Sequence, residues 1–199
     1  KMKSREGAVV DADDLIEQMN FTARTIAKEH GKIEGMKVSE RDQLFSIIGL
    51  GALKYFILKV DPKKRILFDP EASVDFNGNT GPFIQYAFAR IKSLISKEKD
   101  MNLNLEIDII LLDMEKEILK HLYEYPTIIK NAGDQLSPAL VANYLSDLVK
   151  LFNSFYQNVS IFGEEDKAKR TMRLLLCQAV ANNIKVTGKI LGISMPNKM

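Results

Sequence analysis

A chain of 199 residues fits one domain, or one domain with an appendage. Its 28 Lys and Arg against 26 Asp and Glu leave a net charge of +2, which excludes a histone-like tail or a strongly acidic chain but permits a localised nucleic-acid face. Hydrophobic residues at 46% supply a sizeable core and exclude disorder as the main state. No apolar run approaches the roughly 18 residues of a membrane span. One cysteine, Cys177, and two histidines, His30 and His121, exclude an internal disulfide and argue against a structural metal site. The lone thiol fits a reducing cytoplasm. The chain opens at Lys1 without an initiator methionine or a leader, and is expected to be a piece of something longer.

Residues 1–12 are polar. A first helix follows through DADDLIEQMNFTARTIAKEHG, with Asp11 or Asp13 as cap, acidic residues in its first turn and Gly31 at its end. A second starts at Ser39, where S-E-R-D approximates a capping box with Asp42 in the acidic position, and runs towards Tyr55. Gly49 and Gly51 inside it each cost about 1 kcal/mol relative to Ala, and are expected to let another backbone approach. DPKKRILFDPE reads as a turn around a short extended run, Ile66 to Phe68, between Pro62 and Pro70. FNGNTGPF is a loop into a third helix, capped by Asn79 or Thr80 with Pro82 in its first turn. Ile84, Phe88, Ile91 and Ile95 form its one-sided apolar stripe. After a charged connector, three more helices are predicted near 105–124, 138–157 and 166–191. The middle one carries the clearest stripe: Val141, Leu145, Leu148, Phe152 and Phe155. The fold class is therefore mainly α, a helical bundle with at most a short strand. In the first 75 residues Ile47, Ile48, Leu53 and Phe56 read as apolar surface that a further domain would cover.

Charge is unevenly placed. Residues 101–166 hold four basic and eleven acidic side chains; 167–199 hold seven basic and none acidic. Two readings of that basic tail stand: a solvated helix face, or a face that tracks phosphates while nearby Tyr and Phe stack on exposed bases. No nucleophile elbow, metal-ligand helix or phosphate-cradling glycine loop is present. His30 and His121 read as surface or packing residues, and Cys177 in RLLLCQAV as a small core residue. One segment differs. Lys1, Lys3 and Arg5 place three cations within five residues beside Gly7; they are either a basic terminus or a mobile loop that neutralises charge on a departing pyrophosphate.

Lys1-Met2-Lys3-Ser4 resembles the KMSKS signature of class I aminoacyl-tRNA synthetases. Further blocks resemble the C-terminal third of the arginyl-tRNA synthetase family. They are Gly51-Ala52-Leu53-Lys54-Tyr55-Phe56, then the stretch from Phe76 to Ala87 (FNGNTGPFIQYA), then Ala142-Asn143-Tyr144-Leu145 with Phe152, Phe155 and Tyr156, and the tail from Leu191-Gly192-Ile193 to Met199. The pattern departs at Ser4, where the family signature has its second lysine, and at Asn77 and Phe83, where it has Glu and Tyr.

The resemblance implies a bundle of the class I synthetase anticodon-binding type. Residues 1–75 would be the KMSKS loop and a helical segment joining the catalytic domain; residues 76–199 would be the anticodon-binding domain. It implies a whole enzyme that ligates arginine to tRNA(Arg) through arginyl-adenylate, with ATP and Mg2+. Lys1, Met2, Lys3 and Ser4 would lie at the nucleotide, and Lys1, Lys3 and Arg5 would act on the pyrophosphate. Tyr86, Tyr156 and Met199 would receive anticodon-loop bases, with Arg90, Arg170 and Arg173 on phosphates. The alternative reading has Tyr86 and Tyr156 plug the core and Met199 form a frayed end; Asn79 and Asn143 read as structural. The HIGH motif, nucleotide-binding sheet and arginine pocket are not in this sequence, so this part alone is expected to bind tRNA(Arg) but not to aminoacylate. Its partners would be that tRNA and the remaining domains of the enzyme, with no membrane, DNA or metal site, and no cofactor held by this part. The competing reading is a free-standing helical RNA-binding or scaffold module with a borrowed fold.

Overall fold

The computed structural model describes residues 11–29, 36–67, 69–76, 78–98 and 109–199. Among these residues there are seven helices and no strand: α1 (Ala12–Glu29), α2 (Val38–Leu58), α3 (Pro70–Val74), α4 (Gly81–Ile95), α5 (Asp113–Asp134), α6 (Pro138–Asn158) and α7 (Lys167–Ile190). The mainly helical expectation holds. Ile66 and Leu67 form no strand, and Phe68 lies outside the described residues.

Local chemistry sets most helix starts. Asp11 Oδ1 accepts from the Asp13 N–H at 2.9 Å, Thr80 Oγ1 from Phe83 N–H at 3.3 Å ahead of α4, and Asp166 Oδ1 from Ala168 N–H at 2.9 Å ahead of α7. The expected box at Ser39 is displaced. α2 begins one residue earlier, its box carboxylate is Glu40, which accepts from the Lys37 N–H at 3.3 Å, and Asp42 instead pairs with Arg24 of α1 at 2.8 Å. α3 was not expected; Asp69 caps it by accepting from Ala72 N–H at 3.1 Å, with Pro70 in its first turn. α5 is also longer at its end than expected, passing the exposed Pro126 to reach Asp134.

Two apolar cores result. Met19 and Ala23 of α1, Leu44, Ile48, Ala52 and Leu53 of α2, and Val74 of α3 make one. The other joins α4 to α7 and takes Tyr55 from α2, so α2 is shared. All five residues of the α6 stripe are buried in it, each worth about 1.5–3 kcal/mol of transfer free energy. Ile48 and Leu53 therefore lie inside the first core, correcting their reading as open surface, while Ile47 and Phe56 are half-buried.

Gly49 of α2 and Gly81 of α4 permit two close crossings. A Cβ on Gly49 would sit 2.9 Å from the Met19 carbonyl carbon and the Asn20 nitrogen of α1, and one on Gly81 would sit 2.6 Å from the Gly51 carbonyl oxygen. At the second crossing Gln85, fully buried, donates from Nε2 to Ile47 O at 3.0 Å and to Ser194 O at 2.9 Å. The Tyr55 hydroxyl lies between Asn79 Oδ1 and the Ala142 carbonyl, 3.1 Å from the latter. Asn143 Nδ2 reaches Lys59 O at 3.3 Å. These bonds give Asn79 and Asn143 structural partners.

Candidate nucleic-acid interface

The helical period places Tyr86, Arg90 and Ser93 on one face of α4, away from the stripe that enters the core, with Lys97 in the turn just beyond its end. That face forms the floor of an open groove of about 1120 Å³. The end of α6 contributes Tyr156, the connection after it contributes Val159 to Phe162, Met36 just before α2 and Glu40 in its first turn add to the lining, and the chain from Asn197 to Met199 closes the side.

Arg90 is central. Its guanidinium carbon lies 4.7 Å from the Tyr86 ring centroid and 5.3 Å from that of Tyr156, distances at which the cation is attracted to both ring faces. Its Nη1 donates to Asn153 Oδ1 at 3.1 Å. Phe76 meets the Tyr86 ring edge-on at 6.4 Å, and Phe152, one turn before Tyr156, stacks beside that ring at 6.0 Å. Neither tyrosine plugs the core: Tyr86 is half-buried in the groove and Tyr156 is 38% exposed.

Met199 reaches the groove through a tethered tail. Gly192, at φ 68°, ends α7 in a left-handed turn with Ile193 N–H donating to Gly188 O at 2.8 Å, a Schellman cap that glycine forms without Cβ strain. Lys54 Nζ then donates to Gly192 O at 2.7 Å, Gln85 to Ser194 O, and Pro196 is buried. Met199 consequently packs with Met36 and Phe76 against the first core rather than fraying.

Among the described residues the groove is lined by the cations Arg90, Lys92, Lys97 and Lys198 and by the carboxylate of Glu40. A cationic channel with exposed aromatic faces can track a phosphate backbone and stack unpaired bases. Sequence reasoning had missed Lys92, Lys97 and Phe162, while Lys198 belongs to the basic tail read as a phosphate-tracking face. For Lys97 the signal was present, because it follows Arg90 by seven residues, at the spacing that links Tyr86, Arg90 and Ser93.

Two expected phosphate contacts lie elsewhere. Arg170 sits in the first turn of α7, outside the groove lining. Arg173 is 7% exposed and committed to Glu115, Glu164 and the Ser160 carbonyl, so its place is an internal strut. Lys1, Met2, Lys3, Ser4 and Arg5 lie outside the described residues.

Nothing else described resembles a catalytic centre. His121 stacks on Tyr144 at 4.3 Å and bonds the Tyr144 carbonyl oxygen at 3.0 Å. Burial pushes the Cys177 thiol up to about 12, leaving it un-ionised at neutral pH. Among the described residues no group of three His, Cys, Asp or Glu is placed to hold a metal ion, and no helix is long and apolar enough to cross a membrane.

Residues 84–199 match the family described as the DALR anticodon binding domain, and the chain belongs to that family. Over its whole length it is 53% identical to the arginine–tRNA ligase of Flavobacterium psychrophilum and 47% identical to that of Parabacteroides distasonis. It spans about a third of those relatives, 33% and 34% of their lengths. The fold is that of part of the Thermus thermophilus arginyl-tRNA synthetase, with a TM-score of 0.88, 24% identity, and coverage of 97% of this chain and 33% of that one. The Plasmodium falciparum arginyl-tRNA synthetase matches with a TM-score of 0.81 at 24% identity, over 96% of this chain and 34% of that one. The chain thus corresponds to the C-terminal, anticodon-binding region of arginyl-tRNA synthetases.

Proposed function

We propose that the chain is the tRNA-selecting part of a cytoplasmic enzyme that ligates arginine to tRNA(Arg), and that the α4–α6 groove receives unstacked bases of the anticodon loop. The observation that carries this reading is the Tyr86–Arg90–Tyr156 assembly with Met199 beside it in one cationic groove. Each base stacked on an aromatic face contributes about 1–3 kcal/mol, and the surrounding lysines add a sequence-blind, salt-dependent attraction to phosphate. Binding energy realised at this distance from the reacting ester can be used to orient the acceptor end. The core shared by α4 to α7 supports a division into a joining segment, 1–75, and an anticodon-binding domain, 76–199, with Tyr55 and Met199 packing across the boundary. Arg170 remains a candidate backbone contact at the start of α7.

In the whole enzyme ATP with Mg2+ would supply the activated acyl-adenylate. The cations assigned to it, Lys1, Lys3 and Arg5, lie outside the described residues. The similarity along the entire chain to arginine–tRNA ligases disfavours a free-standing scaffold module.

The test is binding to an arginine-accepting tRNA and to the same tRNA with its central anticodon base changed, at two salt concentrations. A loss of tenfold or more, about 1.4 kcal/mol, that Tyr86→Ala and Tyr156→Ala each abolish would support base reading in this groove. Equal, salt-sensitive affinity for both tRNAs would reduce the groove to an electrostatic handle.

A further inference from the structure

One wall of the groove comes from no helix. Val159 to Phe162 belong to the connection between α6 and α7, and Phe162 stands 41% exposed at the groove rim. Irregular backbone at a binding surface must be held by something, and here a buried ion cluster lies behind it. Arg173 of α7 donates from Nε to Glu115 Oε1 at 2.7 Å, and from Nη1 to Glu164 Oε2 at 2.8 Å and to the Ser160 carbonyl at 3.2 Å. Glu115 is 1% exposed and uses its other oxygen to accept from the Leu112 N–H at 2.8 Å, so the same carboxylate starts α5. Ser160 Oγ accepts from the Gly163 N–H at 3.1 Å, tightening the turn that carries Phe162.

A buried arginine between two carboxylates is a poor way to gain stability, because desolvation offsets most of the attraction and an apolar cluster of equal volume would do as well. It supplies direction instead: a planar fork fixes a carbonyl and a carboxylate of the same short loop relative to α5 and α7. The geometry assigns Arg173, acting with Glu115 and Glu164, as the positioning residue that sets the Val159–Phe162 wall for an incoming base, with Phe162 as the stacking face of that wall. This assignment deepens the groove reading above and rests on it.

Glu164→Gln in the full-length protein separates the possibilities by sign. Long-range electrostatics alone has the loss of a carboxylate tighten the binding of a polyanion. Positioning has it weaken binding of the arginine-accepting tRNA five-fold or more, and weaken the base-changed tRNA less, with the slope of log affinity against log salt unchanged. Arg173→Lys keeps the charge but loses the fork, and gives the same loss of discrimination; a direct phosphate contact would survive that change. Phe162→Leu leaves the ion cluster intact and reproduces the loss of discrimination at unchanged melting temperature, whether or not the Arg173 variant folds. Unchanged or tighter binding by Glu164→Gln, or undiminished discrimination by Phe162→Leu, would overturn the assignment while leaving the groove reading in place. A parent protein that fails to distinguish the two tRNAs would overturn both.

Discussion

Arg90→Ala removes the group that holds the two groove tyrosines together. Two cation–π contacts, at 4.7 and 5.3 Å, contribute about 0.5–1 kcal/mol each at a partly exposed site. The bond to Asn153 at 3.1 Å contributes about 1 kcal/mol, less whatever water restores to the amide. The expected loss is about 2 kcal/mol. For a chain of this length a kilocalorie corresponds to about 2–4 °C, so the melting temperature should fall by about 4–8 °C. Circular dichroism melts of the parent, Arg90→Ala, Tyr156→Ala and the double variant complete a cycle whose coupling should be about 0.5–1 kcal/mol. Arg90→Lys retains the charge but not the flat fork, and should recover about half of the loss. A melting temperature within one degree of the parent (the order of ~0.3 kcal/mol) and strict additivity with Tyr156→Ala would show that the cation does not bind the rings, and the reasoning about the groove floor would fail with it.

Three further outcomes are expected. Gly51→Ala should cost about 2 kcal/mol, because the new methyl occupies the place of the Gln85 amide and pulls it from the Ile47 and Ser194 carbonyls; denaturant midpoints measure this, and a neutral result would mean that Gln85 is not anchored. Leu136→Gly should stabilise by about 1 kcal/mol: Leu136 holds φ 50° in the turn after α5, where Ser137 N–H bonds Ala132 O at 3.0 Å, and its side chain is 84% exposed, so strain is relieved with no burial lost. Stability should decline above about pH 9. Burial raises the Cys177 thiol from 9.0 to about 12 and the Tyr144 phenol from 10.0 to about 12, so each group keeps its proton in the fold after the unfolded chain has lost it. Their contribution is full below the unfolded values and is lost as pH rises towards 12, at up to about 1.4 kcal/mol per pH unit for each group. Cys177→Ala should flatten the first part of that decline, and an identical pH profile for the variant would exclude the thiol as its cause.

The order of the helices and the faces they bury were written locally. The Val141 to Phe155 stripe, the Thr80 cap and the Pro138 start report themselves through spacing and through hydrogen bonds made within one turn. α3 and the true extent of α5 were harder to read. α3 is only five residues long, while α5 continues past a proline whose ring faces outward, which periodicity does not anticipate. The groove tyrosines Tyr86 and Tyr156 were legible because family blocks carried them, whereas Arg90, expected on a phosphate, lies against both rings. The role of Arg173 was not: a basic residue in a basic tail looks like a phosphate contact until folding brings Glu115, 58 positions away, to its Nε. Met199 was named from the tail pattern, but its place depends on Lys54 and Gln85 reaching chain positions more than a hundred residues distant. Sequence alone determined where the long helices lie and which of their faces turn inward, because those are governed by neighbours three or four positions away. Only the tertiary structure decided which cations serve the groove and which serve the core, because the desolvation that separates them is set by the packing of one helix on another.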